Sequence, residues 1–257
     1  MTHRSADVDR ALALIALGLN PSQVARRVGI PRGTVRDWAA GKTPKRPESS
    51  PPGEPCRGCA IHQRLGPELW TAYAYLLGIY LGDGCISRHP RGVFRLRVLL
   101  DRRYPRIVIE VREAMRAIVP SGIANVYQRP HERADEVSAF WKHWPCLLPQ
   151  HGAGVKHRRS ITLEHWQHGI VDLHPWSLLR GLIHSDGCRF TNTIRHPRKT
   201  YRYPRYNFTN RSDDIRSLFC EYCDVVGVEW RRMNRWSISV ARRDSVALMD
   251  RHIGPKR

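Results

Sequence analysis

The chain has 257 residues, and 43 Lys plus Arg against 23 Asp plus Glu give it a formal charge of +20. With 41 % hydrophobic residues and eight Trp it can bury a sizeable core, which excludes a disordered polycation. No apolar run approaches the roughly 18 residues that a bilayer-spanning helix needs. A fold this basic calls for a polyanionic partner, and 37 of its 43 basic residues are arginine, whose guanidinium fork suits phosphate oxygens and guanine edges.

Residues 8–40 carry helical periodicity. Ala11, Leu12, Ile15 and Ala16 share one helix face, and Gly18 ends it. Asn20-Pro21-Ser22 offers a cap for a short helix with Val24, Ala25 and Val28 inward. Gly29 supplies a tight turn, and a third helix after Pro31 buries Val35 and Trp38 while exposing Arg32, Thr34 and Arg36. The segment resembles the helix-turn-helix of bacterial DNA-binding proteins, in which such exposed residues reach base edges in the major groove. It defines a first domain over 1–43.

Six prolines between 44 and 67, with Ser49-Ser50, predict an extended linker over 44–67. Within it, Cys56, Cys59 and His62 form a partial zinc knuckle lacking a fourth ligand. Seven cysteines in all, with no signal sequence, read as thiols or metal ligands rather than a disulfide framework. Cys220 and Cys223 lie inside an amphipathic pattern and read as core, and Cys85 and Cys188 read as packing residues.

An internal repeat dominates the remainder. Leu76-Leu77-Gly78-Ile79-Tyr80-Leu81-Gly82-Asp83-Gly84-Cys85 returns as Leu179-Arg180-Gly181-Leu182-Ile183-His184-Ser185-Asp186-Gly187-Cys188, offset by 103 residues, and His-Pro-Arg follows each copy. Small residues at 74, 78 and 82 and at 177, 181 and 185 line one stripe of each helix, so the backbones can approach closely. Gly78, Gly82, Gly181 and Ser185 are the expected helix interface. Each helix ends in Asp-Gly, with the glycine expected in the left-handed cap. The aspartates, Asp83 and Asp186, face the negative end of the helix dipole and one another. A hard divalent cation, Mg2+ or Mn2+, would relieve both penalties.

The two decapeptides resemble the motif of LAGLIDADG homing endonucleases, in the two-copy single-chain form. The resemblance covers about residues 68–257 and implies an α+β fold: two pseudo-symmetric αββαββα halves, 68–165 and 166–257, with motif helices at their interface and sheets forming a saddle over DNA. It also implies that Asp83 and Asp186 hold the metal. His184 stands where that family most often has an acid. Val93–Leu100 alternates apolar residues with Arg95 and Arg97, and Tyr206 and Phe208 alternate with Arg205 and Asn207. Helices are expected at about 104–118 and 213–226, and second hairpins at about 123–142 and 228–241. The strands would present Arg95, Arg97, Arg205, Asn207, Arg231, Ser237 and Ser239 to the major groove. By analogy, Lys142 and Arg242, with Arg243 as alternate, are the cations that polarise the scissile phosphate.

The expected function is thus sequence-specific binding of double-stranded DNA with divalent-metal-dependent phosphodiester hydrolysis. The alternative is a non-cleaving transcriptional regulator of the same architecture, and an RNA-binding maturase is a weaker third. A monomer, no membrane association and a bacterial cytoplasmic location are expected.

Overall fold

The computed structural model describes residues 5–42 and 59–256, and the chain divides into two compact units, 1–49 and 50–257. In the first unit, α1 (Ser5–Ala16), α2 (Pro21–Val28) and α3 (Arg32–Ala39) pack around Val8, Ala11, Val24, Ile30, Val35 and Trp38. Asn20 caps α2 with its side-chain oxygen on the Ser22 and Gln23 amides, and the Gln23 side chain returns the bond to the Asn20 amide. Gly29 takes φ +70°, the left-handed conformation that a tight turn into α3 requires. Arg32 and Arg36 are exposed on α3, and Thr34 is half-buried.

The second unit is α+β and built twice. Its first half runs α4 (Pro67–Gly82), β1 (Gly84–His89), β2 (Val93–Asp101), α5 (Pro105–Ile118), β3 (Asn125–Gln128), β4 (Ala134–Trp141) and α6 (Trp144–Leu147). After α7 (His165–Val171), the second half runs α8 (Pro175–Asp186), β5 (Gly187–His196), β6 (Lys199–Thr209), α9 (Asp213–Val225), β7 (Arg231–Arg232), β8 (Ser237–Val240) and α10 (Arg243–His252). Each half holds an antiparallel four-stranded sheet, ordered β1-β2-β4-β3 and β5-β6-β8-β7.

Alternation decides which sheet face is buried. Leu96, Val98, Val137 and Ala139 in one sheet, and Tyr206, Phe208, Ile238 and Val240 in the other, face a single core with α4, α5, α8 and α9. Helix α4 is apolar all round and buried from Tyr73 to Leu81, because partners cover it on every side. Among the described residues, no helix is long and apolar enough to cross a membrane.

Candidate functional site

The two motif helices, α4 and α8, cross backbone to backbone. A Cβ on Gly181 would lie 2.2 Å from the Tyr75 carbonyl oxygen and 2.9 Å from the Gly78 Cα, and one on Gly78 would lie 2.5 Å from the Leu178 carbonyl oxygen. One turn on, a Cβ on Gly82 would meet Ser185 Oγ at 2.2 Å and Asp186 Oδ2 at 3.0 Å. The stripe of small residues therefore holds the helices together to their C-terminal ends, where Asp83 and Asp186 stand. Gly84 and Gly187 are not left-handed caps. They begin β1 and β5, and a Cβ there would run into the Tyr80 or Ile183 Cα at 2.6 and 2.7 Å. The glycine serves the sharp return of each strand past its own helix, and Gly187 keeps an extended φ of −103°.

Both acids are crowded. Asp83 still meets solvent, yet the surrounding protein mass, and then the Asp186 charge, push its carboxyl up to about 6. Desolvation likewise raises Asp186, opposed by a 2.6 Å hydrogen bond donated by Asn210 Nδ2. The ordinary carboxylate preference for the charged form is thus weakened at both positions.

Two lysines answer these charges, and neither was singled out from the sequence. The Lys156 ammonium donates to the carbonyls of Tyr80, Leu81 (3.2 Å) and Gly82 (3.0 Å), at the negative end of the α4 dipole. Lys256 donates to the Ser185 carbonyl at 2.9 Å, at the matching end of α8. Their charges act on both acids, and burial brings Lys156 down to about 8. The Arg159 guanidinium holds the Lys156 loop, donating to the carbonyls of Gln150 (2.9 Å), Gly152 (2.8 Å) and Gly154 (3.1 Å). Two cavities flank the helix ends: one is lined by Asp186, Lys156, Cys85, Asn210 and Arg211, the other by Asp83, Lys256, Cys188 and Arg103. Cys85 and Cys188 are exposed there rather than packed.

Lys142 and Arg242 are placed elsewhere. Gly84 pairs with Val98 and Val98 with Val137, so Lys142 lies five residues beyond the level of the glycine that follows the acid, roughly 16 Å along the strand. Arg242 lies four residues past Ile238, which pairs with Phe208 opposite Gly187, roughly 13 Å away. It forms a 2.6 Å ion pair with Glu229, while the alternate, Arg243, starts α10. A cation count along the sequence could not separate these from Lys156, since loop 151–159 carries no periodic pattern.

Metal-free behaviour gives a check on the strain at the acids. The folded Asp83 pKa lies above the unfolded value, so the fold is favoured when the group is protonated. That advantage is complete below about 3.8 and lost as the pH rises through about 6. In buffer without Mg2+ or Mn2+, Asp83→Asn should therefore stabilise the protein at about pH 7.5, by roughly 1 kcal/mol or less after solvent screening, and leave it unchanged near pH 3.5. Denaturant melts at the two pH values read this directly; equal effects at both would mean the carboxylate is unstrained.

The polar faces of the two sheets match in register. Cys85, Arg97, Ser138 and Asn125 lie side by side across the first, as Cys188, Asn207, Ser239 and Arg231 do across the second. Arg95 is not a free cation: Glu136 forms an ion pair with it and another with Arg129 at 3.0 Å. Ser237 and Ser239 are buried rather than presented, with Ser237 Oγ hydrogen-bonded to Thr209 Oγ1 at 3.0 Å. Arg95 Nε, Arg205 Nε, Asn207 Oδ1 and Ser239 Oγ are buried polar atoms of these faces without a hydrogen-bond partner among the described residues. Beyond the core, the β5–β6 hairpin carries Tyr201 stacked on Tyr203 at 6.1 Å, both exposed.

Of the knuckle residues, Cys56 lies outside the described residues. His62 stacks on Trp166 at 4.9 Å between ring centroids, and Cys59 approaches His143 instead. Cys220 and Cys223 are buried in the core.

No protein-family model matches the sequence, and no curated protein matches it. Among solved structures, I-DmoI in complex with DNA and Mn is similar over 72 % of this chain and 97 % of its own, with a TM-score of 0.48 and 11 % identity. The LAGLIDADG meganuclease I-AabMI bound to uncleaved DNA is similar over 70 % of this chain and 83 % of its own, at 0.45 and 9 %. Full-length DUF199/WhiA from Thermatoga maritima is similar over 74 % of this chain and 57 % of its own, at 0.43 and 14 %.

Proposed function

We propose that the chain binds double-stranded DNA at a specific sequence and hydrolyses its phosphodiester bonds with the help of a divalent cation. The juxtaposition of Asp83 and Asp186 at the ends of helices crossing at Gly78 and Gly181 carries this reading. Two carboxylates with weakened ionisation, beside helix carbonyls, form a hard oxygen donor set that fits Mg2+ or Mn2+. When bound there, the cation would supply Lewis-acid stabilisation of the phosphate and activation of water. Asp83 and Asp186 would hold it, and Lys156 and Lys256 would pin the two helix ends and place positive charge beside the cavities on either side. Asn210 would orient the Asp186 carboxylate through its 2.6 Å bond.

DNA is favoured as substrate by the net charge of +20 and by Arg97, Arg205 and Arg231 on the two polar sheet faces. Arg205 and Asn207, both half-buried on the second sheet face, are of the residue types that β-ribbons use on base edges in the major groove. Arg32, Thr34 and Arg36 of α3 would add contacts in a helix-turn-helix mode.

Selecting bound sequences from a random duplex library, then titrating salt, tests the DNA reading. Affinity should fall steeply with salt, and Arg97→Ala or Arg231→Ala should each reduce the logarithmic slope by about 1. Retention of structured RNA in preference to every duplex would contradict it. For the lysines, Lys156→Met and Lys256→Met should each slow cleavage of a selected duplex by about 10- to 100-fold, whereas Lys142→Ala and Arg242→Ala should alter it less than about threefold. Single-turnover rates distinguish the pairs.

A further inference from the structure

Three side chains far apart in sequence meet at the end of the first sheet. Cys59 lies just ahead of a single turn of 3-10 helix, Ile61–Arg64. His143 caps α6, and Cys146 lies inside it. Cys59 Sγ is 3.3 Å from His143 Nδ1, Cys146 Sγ is 3.8 Å from the same nitrogen, and all three atoms lie within 4.8 Å of one another. They are partly buried, and the edge of the Trp141 ring meets His143 at 5.3 Å between centroids.

We infer that Cys59, His143 and Cys146 bind a zinc ion. In a tetrahedral site, Zn–S of about 2.3 Å and Zn–N of about 2.0 Å put sulfur and nitrogen about 3.5 Å apart and two sulfurs about 3.8 Å apart. The two sulfur–nitrogen separations, 3.3 and 3.8 Å, straddle the first of these edge lengths, and the two sulfurs lie within 4.8 Å of each other. Two soft thiolates and an imidazole select zinc over the hard cations suited to Asp83 and Asp186. The site would tie residue 59, where the second unit begins among the described residues, to the outer end of β4. The sequence nominated His62 as the histidine; its ring is occupied by Trp166, and the ligand comes from 84 residues downstream of Cys59. The site is argued without Cys56, and it stands apart from the nuclease reading.

Metal analysis of the full chain, expressed with zinc and dialysed against metal-free buffer, should find about one zinc per chain. Cobalt substitution should give thiolate-to-metal charge-transfer bands and the visible bands of a tetrahedral site. His143→Asn and Cys146→Ser should lose the metal, and His62→Ala should keep it. Should the ligand variants fail to fold, alkylation of the wild type decides: Cys59 and Cys146 should be protected until a chelator is added. Absence of zinc and of cobalt bands, chelator-independent alkylation, a Cys59–Cys146 disulfide, or loss of zinc in His62→Ala with retention in His143→Asn would each overturn the assignment.

Discussion

Asp83→Asn and Asp186→Asn should each lower the rate of DNA cleavage by at least about 1,000-fold while leaving affinity for the same duplex within about threefold. The two losses should not add, because the acids act on one shared constellation: once either is gone, removing the other costs little more. The metal-free stability gain of Asp83→Asn and its loss of catalysis are two faces of one arrangement. The helix pair holds two anions at the negative ends of two dipoles, where folding alone would not place them. Loss of DNA affinity in step with cleavage would instead assign the acids to fold or recognition. Wild type and variants are compared by single-turnover cleavage and equilibrium binding on one selected duplex.

The second large effect concerns the helix crossing. Gly181→Ala places a methyl carbon 2.2 Å from the Tyr75 carbonyl oxygen, and both the obstructing atom and the glycine belong to helix backbone that cannot step aside. The helices must separate, disturbing the core on both sides, so a loss of about 3 kcal/mol or more is expected. Gly169 provides the contrast within the same unit. It lies in α7 with nothing among the described residues within 4 Å of an added Cβ, so Gly169→Ala should be neutral or stabilising by up to about 1 kcal/mol. Urea unfolding curves of the three proteins give both numbers; equal midpoints for Gly181→Ala and wild type would mean the crossing is loose.

Much of this arrangement can be read from sequence because it is local and periodic. The helix-turn-helix segment shows through its caps and apolar spacing, although α1 begins earlier than its periodic face suggests and buries Val8 as well. The motif helices show because the small residues recur every four positions in two copies. Strand alternation separated Leu96 and Phe208 from Arg97 and Asn207 without difficulty. Alternation alone does not reveal that Ser237 and Ser239 are buried or that Glu136 pairs with Arg95.

The lysines, and the side chains that meet Cys59, fail to show for a different reason. Lys156 reaches the end of α4 from a loop stabilised by Arg159, and Lys256 comes from the segment after α10. Neither segment has a hydrophobic period to locate it. Cys59 finds His143 and Cys146 only because α6 folds back beyond β4, a tertiary event with no local signal. At the glycines after the acids, where a left-handed cap is expected from sequence, chain reversal needs the absence of a Cβ, not a positive φ.

The most direct measurement is the fate of a duplex selected by the wild-type chain when Mg2+ or Mn2+ is added. A duplex cut in both strands at fixed positions, only with the divalent cation present, is the result predicted. Saturable, sequence-specific binding with no strand broken in Mg2+ or Mn2+ would contradict the nuclease and leave a DNA-binding regulator in its place.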